Sequence, residues 1–331
     1  MSASGMTIGV IGCGKQARKH IAGLRSDGRP VDIRVADIDP ARADELAREE
    51  NVAAARALDD ILTDRSVRAV VICSPTPTHY PIAAQALEEG KAVFCEKPVC
   101  ASRDEVERLH AIEQRSGGFV QVGFVYRYVP AMIAGRALLR DPAAPLGHPS
   151  FALFRIGGRG SHALWKHRRA TGGGVVNEML VHMLDLAIWM FGPLEAMTVY
   201  EHRRLRPTRV IDGRREDVDA EDFILAGALS RDGVPITFQA DLLTPSFRQS
   251  VEIQGDNGGF VGSIAEDPRS HVFLSKAAGG FARGRTEIGA ARVDLFDEQM
   301  KGFLRRLDGE SVQDPPSLAD SVHLFGLLQK V

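Results

Sequence analysis

A chain of 331 residues with 44 % hydrophobic and 25 % charged side chains is long enough for about two domains with cores of their own, and its balance excludes a disordered polymer. Lys and Arg number 41 against 43 Asp and Glu, a net charge of −2, which offers no field for nucleic acid and points to small-molecule chemistry. Cys13, Cys73, Cys95 and Cys100 form no CxxC pair, so they read as reduced thiols rather than a disulfide framework or a zinc ribbon.

At the N-terminus no basic region precedes a long apolar run, and no later stretch approaches the ~20 apolar residues that span a bilayer. A cytoplasmic protein without a membrane partner is expected. The strands "TIGVIG", "VDIRVAD", "AVVICS", "AVFCEK" and "FVQVGF" then alternate with helices beginning near Lys15, Pro40, Thr78 and Ser102. Apolar strands separated by helices predict an α/β, doubly wound parallel sheet of the Rossmann kind over residues 1–122.

The first strand runs into "GVIGCGKQA", which places Gly12, Gly14 and Ala17 in a G-x-G-x-x-A turn with Lys15 and Gln16 opening the helix. Small residues there let the backbone approach a pyrophosphate at the positive helix terminus. Asp37 ends the second strand 37 − 14 = 23 residues beyond the second glycine, close to the ~20 expected of a ribose-binding acid. Such an acid repels a 2′-phosphate and favours NAD over NADP; Ile38 follows it, and Arg42, one helical turn on, works against the preference. In "ICSPTPTHY", Ser74, Pro75, Thr76 and His79 fall at the carboxyl edge of the sheet, where ligands of such folds bind, and Thr78 reads as an N-cap. "CEKP" puts Glu96 and Lys97 at the same edge after the next strand.

Residues 123–331 are expected to form a substrate-binding and oligomerisation domain of α+β type. Its strand-like segments "SFALFRIG", "AMTVYEHRRL", "EDFILAGALS", "VPITFQADLL" and "QSVEIQGDNGGFVGSI" follow one another with turn signals between them, predicting an open, mainly antiparallel sheet. Only an opening helix and a C-terminal pair near 294–308 and 317–330 interrupt it, and the basic run "HRRLRPTR" at 202–209 reads as a solvated loop. In "TGGGVVNEMLVHMLDLAIWMFG", Glu178, His182 and Asp185 stand at i, i+4 and i+7, on one face of an apolar helix. A carboxylate on such a face is paired, solvated in a cleft, or used in chemistry. His162, Trp165 and Lys166 lie in the preceding loop, where polar and aromatic groups can hold a sugar ring; a plain surface loop fits them equally.

The glycine turn, Asp37, "SPTPTHY", "EKP", "GFVYRYVPA" and "GGGVVNEMLVHMLD" occur in the order found in the Gfo/Idh/MocA oxidoreductases, and the chain resembles that family over essentially its whole length. The resemblance implies catalysis by Lys97, Glu178 and His182, with Tyr126 beside the substrate and Arg127 near the cofactor and substrate. It also implies an open sheet whose face makes homodimers or homotetramers. Two departures stand out: Glu178 where the family usually carries Asp, and Leu180 where a glycine is common. The longer acid either reaches further into the pocket or turns to a structural partner.

An imidazole with its ordinary pKa near ~6.5 suits the removal of a hydroxyl proton, and an ammonium suits the developing alkoxide. The expectation is therefore an NAD-dependent dehydrogenase acting on a secondary alcohol of a sugar, cyclitol or glycoside, an amino-sugar glycoside included, or the reverse reduction. The open alternatives are an NAD-dependent glycoside hydrolase without net redox change and an NADPH-dependent ketoreductase. A zinc hydrolase using Glu178 and His182 lacks an evident third ligand, so no metal is expected.

Overall fold

The computed structural model describes residues 6–159, 163–264, 268–289, 292–329 and 331. The chain divides into two units, Met1–Val125 with Val293–Phe325 and Tyr126–Arg292 with Gly326–Val331. In the first, strands β1 (Met6–Ile11), β2 (Val31–Ala36), β3 (Ala53–Ala54), β4 (Val67–Ile72), β5 (Ala92–Cys95) and β6 (Val120–Val122) form a sheet ordered β3-β2-β1-β4-β5-β6. Every pairing is parallel. The direction of winding reverses between β1 and β4, which opens a crevice at their carboxyl ends.

Local chemistry accounts for these elements. In β4 every residue but Arg68 is buried, and β5 is buried throughout, as a parallel sheet covered on both faces requires. The connecting helices are α1 (Lys15–Arg25), α2 (Pro40–Glu50), α3 (Asp59–Leu62), α4 (His79–Glu88) and α5 (Arg103–Ser116). The Asp39 carboxylate accepts the Ala41 N–H at the start of α2, where Pro40 needs no partner for a missing donor. At α5 the Ser102 hydroxyl accepts the Glu105 N–H, while Glu105 reaches back to the Ala101 N–H at 2.8 Å, one residue beyond the N-cap donor of the usual capping box.

The second unit contributes α6 (Pro130–Arg140), β7 (Pro149–Gly157), α7 (Val181–Phe191) and β8 (Leu194–Arg203), then β9 (Thr208–Ile211) and β10 (Arg214–Asp217). There follow β11 (Phe223–Ser230), β12 (Pro235–Asp241), β13 (Arg248–Gly255), β14 (Gly258–Ser263), β15 (His271–Leu274) and β16 (Gly284–Glu287). Eight strands form a sheet ordered β16-β15-β14-β13-β7-β12-β11-β8. It is antiparallel except where β12 runs parallel to β7. In β7, Ala152, Phe154 and Ile156 are buried while Phe151 and Leu153 are exposed, the alternation of a sheet with one covered face. α7 lies against β7 and β8 and is buried on all sides from Val181 to Met190, as an all-round apolar helix must be.

Some elements depart from the sequence reading. The hairpin β9–β10 and the strands β15 and β16 were not expected; four residues each, they are too short to show alternation. The basic run is no solvated loop throughout, for Arg209 is nearly buried and its Nη2 lies 3.2 Å from Asp222 Oδ2. The domain division also differs from 1–122 and 123–331. Val293–Phe325 belongs to the first unit, where α8 (Leu295–Leu307) lies along α1 and sends Met300, Phe303 and Leu304 into the cluster of Ile8, Val10, Ile21, Leu24 and Phe94. The last helix is α9 (Leu318–Leu328). Periodicity shows that a helix has an apolar face; it does not show which distant surface receives that face. Among the described residues no helix is long and apolar enough to cross a membrane.

Phe303 is fully buried, with ring centroids 5.7 Å from both Phe94 and Phe119. Phe303→Ala should therefore lower unfolding free energy by about 3–5 kcal/mol, measured by urea denaturation; a loss below about 1 kcal/mol would show that α8 contributes little to the first core.

Candidate active site

In the first unit the site begins with backbone. Gly12 adopts φ +93°, and its N–H donates to Ala36 O at 2.8 Å while Cys73 N–H donates to Ile11 O at 2.7 Å. A Cβ on Gly12 would stand 2.5 Å from Ser74 N, so no other residue fits where β1 passes β4. Around Gly14, by contrast, a Cβ would meet nothing within 4 Å. Gly14, Lys15 and Gln16 are exposed at the start of α1, and Ala17 is buried beneath them. The helix terminus thus presents open backbone N–H groups, the arrangement that a pyrophosphate requires.

Asp37 Oδ2 accepts the Cys13 N–H at 2.7 Å and Oδ1 the Asp39 N–H at 3.0 Å. Two backbone donors hold the carboxylate at the end of β2, next to the fully exposed Ile38. An exposed apolar side chain beside a held acid fits an adenosine: ring on the one, ribose hydroxyls on the other. Arg42 lies 3.8 Å from Asp39. Burial, then the Asp37 charge, pushes the Cys13 thiol up to about 12, so this cysteine stays protonated.

At the ends of β4 and β5 several residues turn out to be braces. The Ser74 and Thr78 hydroxyls lie 2.7 Å apart, Thr78 Oγ1 also donates to Pro75 O, and Thr76 opens the 3₁₀ turn Thr76–Thr78. His79 keeps its place at this edge but does not face solvent. It is buried, with Nε2 2.7 Å from Ser74 O and Nδ1 2.9 Å from Pro98 O. Burial lowers its pKa against the pull of the two carbonyls, and a neutral ring donates to only one of them. Glu96 likewise faces inward: its Oε1 lies 2.7 Å from His20 Nε2 and its Oε2 accepts the Lys97 N–H at 3.2 Å. Lys97, half-buried, follows it before the cis Lys97–Pro98 bond.

His20 is the residue that the sequence reading missed. It shares the inner stripe of α1 with Ala17, Ile21 and Leu24, and a lone polar residue in an otherwise apolar stripe is the signal that could have found it.

In the second unit, Glu178, His182 and Asp185 meet three different partners. Residues Val176–Leu180 form a π turn, with the Val181 N–H reaching Val176 O, a distortion often found at functional sites. Each group then has its own neighbour. Lys166 Nζ lies 2.5 Å from Glu178 Oε2, the ring of Tyr126 stands 4.7 Å from that of His182, and Arg127 grips Asp185 through Nε at 2.9 Å and Nη2 at 2.6 Å. Arg127 is the counter-ion that a carboxylate as enclosed as Asp185 requires. Burial pushes the Tyr126 phenol well above its ordinary pKa, so it remains a hydrogen-bond donor. Trp165 is about half exposed, and His162 lies outside the described residues. Among the described residues no three His, Cys, Asp or Glu side chains are grouped as a metal site needs.

The Glu96 pKa is held below its ordinary 4.5: burial acts to raise it, but the His20 hydrogen bond and the charges of His20 and Lys97 outweigh that. A depressed carboxyl stabilises the fold above the unfolded pKa and loses that contribution as pH falls through the folded value. Glu96→Gln should therefore flatten the decline in urea midpoint between about pH 5 and pH 3; a decline as steep as in the native chain would remove Glu96 from the acid response.

Comparison with known proteins bears on both halves of the chain. A family model described as "Oxidoreductase family, NAD-binding Rossmann fold" matches residues 6–124, and one described as the GFO/IDH/MocA C-terminal domain matches residues 146–261. An inositol 2-dehydrogenase of Acidothermus cellulolyticus is 31 % identical over 260 residues, covering 76 % of this chain and 71 % of its own. Levoglucosan dehydrogenase in complex with NADH superposes with a TM-score of 0.87 at 19 % identity, over 98 % of this chain and 95 % of that one. GenD2 from gentamicin A biosynthesis, in complex with NAD, gives 0.81 at 23 % identity, over 100 % and 94 %. At such identities the two solved structures share the fold.

Proposed function

The chain belongs to the GFO/IDH/MocA family of oxidoreductases, with an NAD-binding Rossmann fold, and on that premise we propose that it oxidises a secondary alcohol of a sugar or cyclitol to a ketone, or runs the reverse reduction. The inositol 2-dehydrogenase relatives, 31 % identical in one case, support this substrate class. The observation that carries the reading is His182, 7 % exposed and set against the Tyr126 ring: an imidazole kept from bulk water is suited to take a proton from a substrate hydroxyl.

NAD, when bound, supplies the hydride acceptor. His182 accepts the hydroxyl proton and Glu178 accepts from a neighbouring hydroxyl, while Lys97 supplies an ammonium suited to stabilising a developing alkoxide. Gly12, Gly14, Lys15, Gln16, Ala17, Asp37 and Ile38 hold the dinucleotide, with Asp37 disfavouring a 2′-phosphate. Tyr126, Trp165 and Lys166 line the substrate side.

A panel of polyols, cyclitols and sugars assayed by NADH absorbance tests the reading. Stoichiometric NADH with at least one cyclitol or sugar is expected. Sugar release without net NADH would favour an NAD-dependent glycoside hydrolase, and activity confined to NADPH would favour a ketoreductase. His182→Ala and Lys97→Ala should each lower turnover about 10²- to 10⁴-fold with NAD affinity retained; unchanged turnover would remove that residue from the mechanism.

The open sheet supports a self-association proposal. Phe151, Leu153, Leu229 and Phe273 are exposed, and the strand registers pair Leu229 with Pro235 and align Phe151, Gln254, Gly259 and Phe273 in one row. Since Ala152 pairs with Ile236 on the buried side, this row faces outward, and a second copy would cover it. Light scattering should report a dimer or tetramer, and Leu153→Lys a smaller species; an unchanged mass would place the interface elsewhere.

A further inference from the structure

Substrate charge is the next question, and the loop before α7 bears on it. Lys166 belongs to the 3₁₀ turn Leu164–His167. Its carbonyl accepts the Gly174 N–H at 2.9 Å, and a Cβ on Gly173 would come within 2.4 Å of that carbonyl, so only glycine lets the turn press so closely on the segment that follows. Thr171 Oγ1 donates to Trp165 O at 2.5 Å, and Asn177 Nδ2 to Gly172 O at 3.0 Å. These contacts fix the Lys166 backbone against the π turn that carries Glu178.

The side chains complete the arrangement. Lys166 Nζ lies 2.5 Å from Glu178 Oε2, with 25 % and 12 % of the two side chains exposed, and 5.2 Å from the centroid of the Trp165 ring. Partial burial leaves this pair less screened by salt than a surface ion pair.

We propose that Lys166 is a specificity-determining residue: by occupying Glu178 with its own ammonium, it makes the site select a neutral hydroxylated ring over one bearing an amine. An uncompensated carboxylate at Glu178 would attract a substrate ammonium. With Lys166 in place, an incoming ammonium meets an anion already neutralised and a like charge beside it. A hydroxyl meets no such penalty, because it can donate to the carboxylate and accept from the ammonium. The inference rests on the proposed reading that Glu178 touches substrate.

The test compares kcat/KM for matched neutral and aminated rings, glucose against glucosamine and myo-inositol against an amino-inositol, in the native enzyme, Lys166→Met and Lys166→Arg. The native enzyme should prefer the neutral member by roughly tenfold or more. K166M should lose or invert that ratio, and K166R should keep it. Equal use of both members by the native enzyme overturns the inference even if K166M does not fold, and so does an unchanged ratio in a folded K166M. A native enzyme that forms NADH with no member of the wider panel of polyols, cyclitols and sugars overturns the dehydrogenase reading instead.

Discussion

Asp185 sits one turn into a helix buried on every side, and a carboxylate there is stable only with a cation brought to it. Arg127 meets that need with two hydrogen bonds in parallel, a geometry that sets orientation as well as distance. Much follows from this pair. Tyr126 precedes Arg127 and His182 lies three residues before Asp185, so the clamp that satisfies the charge also brings the Tyr126 ring to the imidazole at 4.7 Å. Arg136 adds a second hold on α7, donating to Trp189 O at 3.0 Å with its guanidinium 4.7 Å from the Trp189 ring.

The first unit meets its own constraint at the carboxyl edge of the parallel sheet. Strand ends leave backbone groups unpaired, and here side chains from neighbouring turns take them up: Asp37 binds the Cys13 N–H, while His79 lies against Ser74 and Pro98 carbonyls. Residues that look functional by position are partly consumed in this bracing. What stays open is the backbone at Gly14 and the side chains of Lys15, Gln16 and Ile38, all exposed.

Legibility in the sequence follows from the range of the interactions. The Rossmann half was readable because continuous apolar strands, capped helices and the Gly12 to Asp37 interval are local patterns, repeated at each crossover. The open sheet was readable for its longer strands. It was not for β9, β10, β15 and β16, whose four residues each carry too little pattern. At the candidate site, the association of Glu178 and His182 with one helix segment was legible from spacing. The partner of each group was not, because Lys166, Tyr126 and Arg127 come from other segments of the chain.

The sequence by itself determined the class of fold, the dinucleotide turn, the acid that ends β2 and the residue types available for chemistry, since backbone sterics and hydrophobic periodicity act between near neighbours. Only the tertiary structure decided how each charge is answered: Arg127 with Asp185, Lys166 with Glu178, His20 with Glu96, and α8 with the first core rather than the second. Such pairings depend on which surfaces are buried together. Burial couples residues 58 apart in one case and 76 in another, and no local pattern encodes that choice.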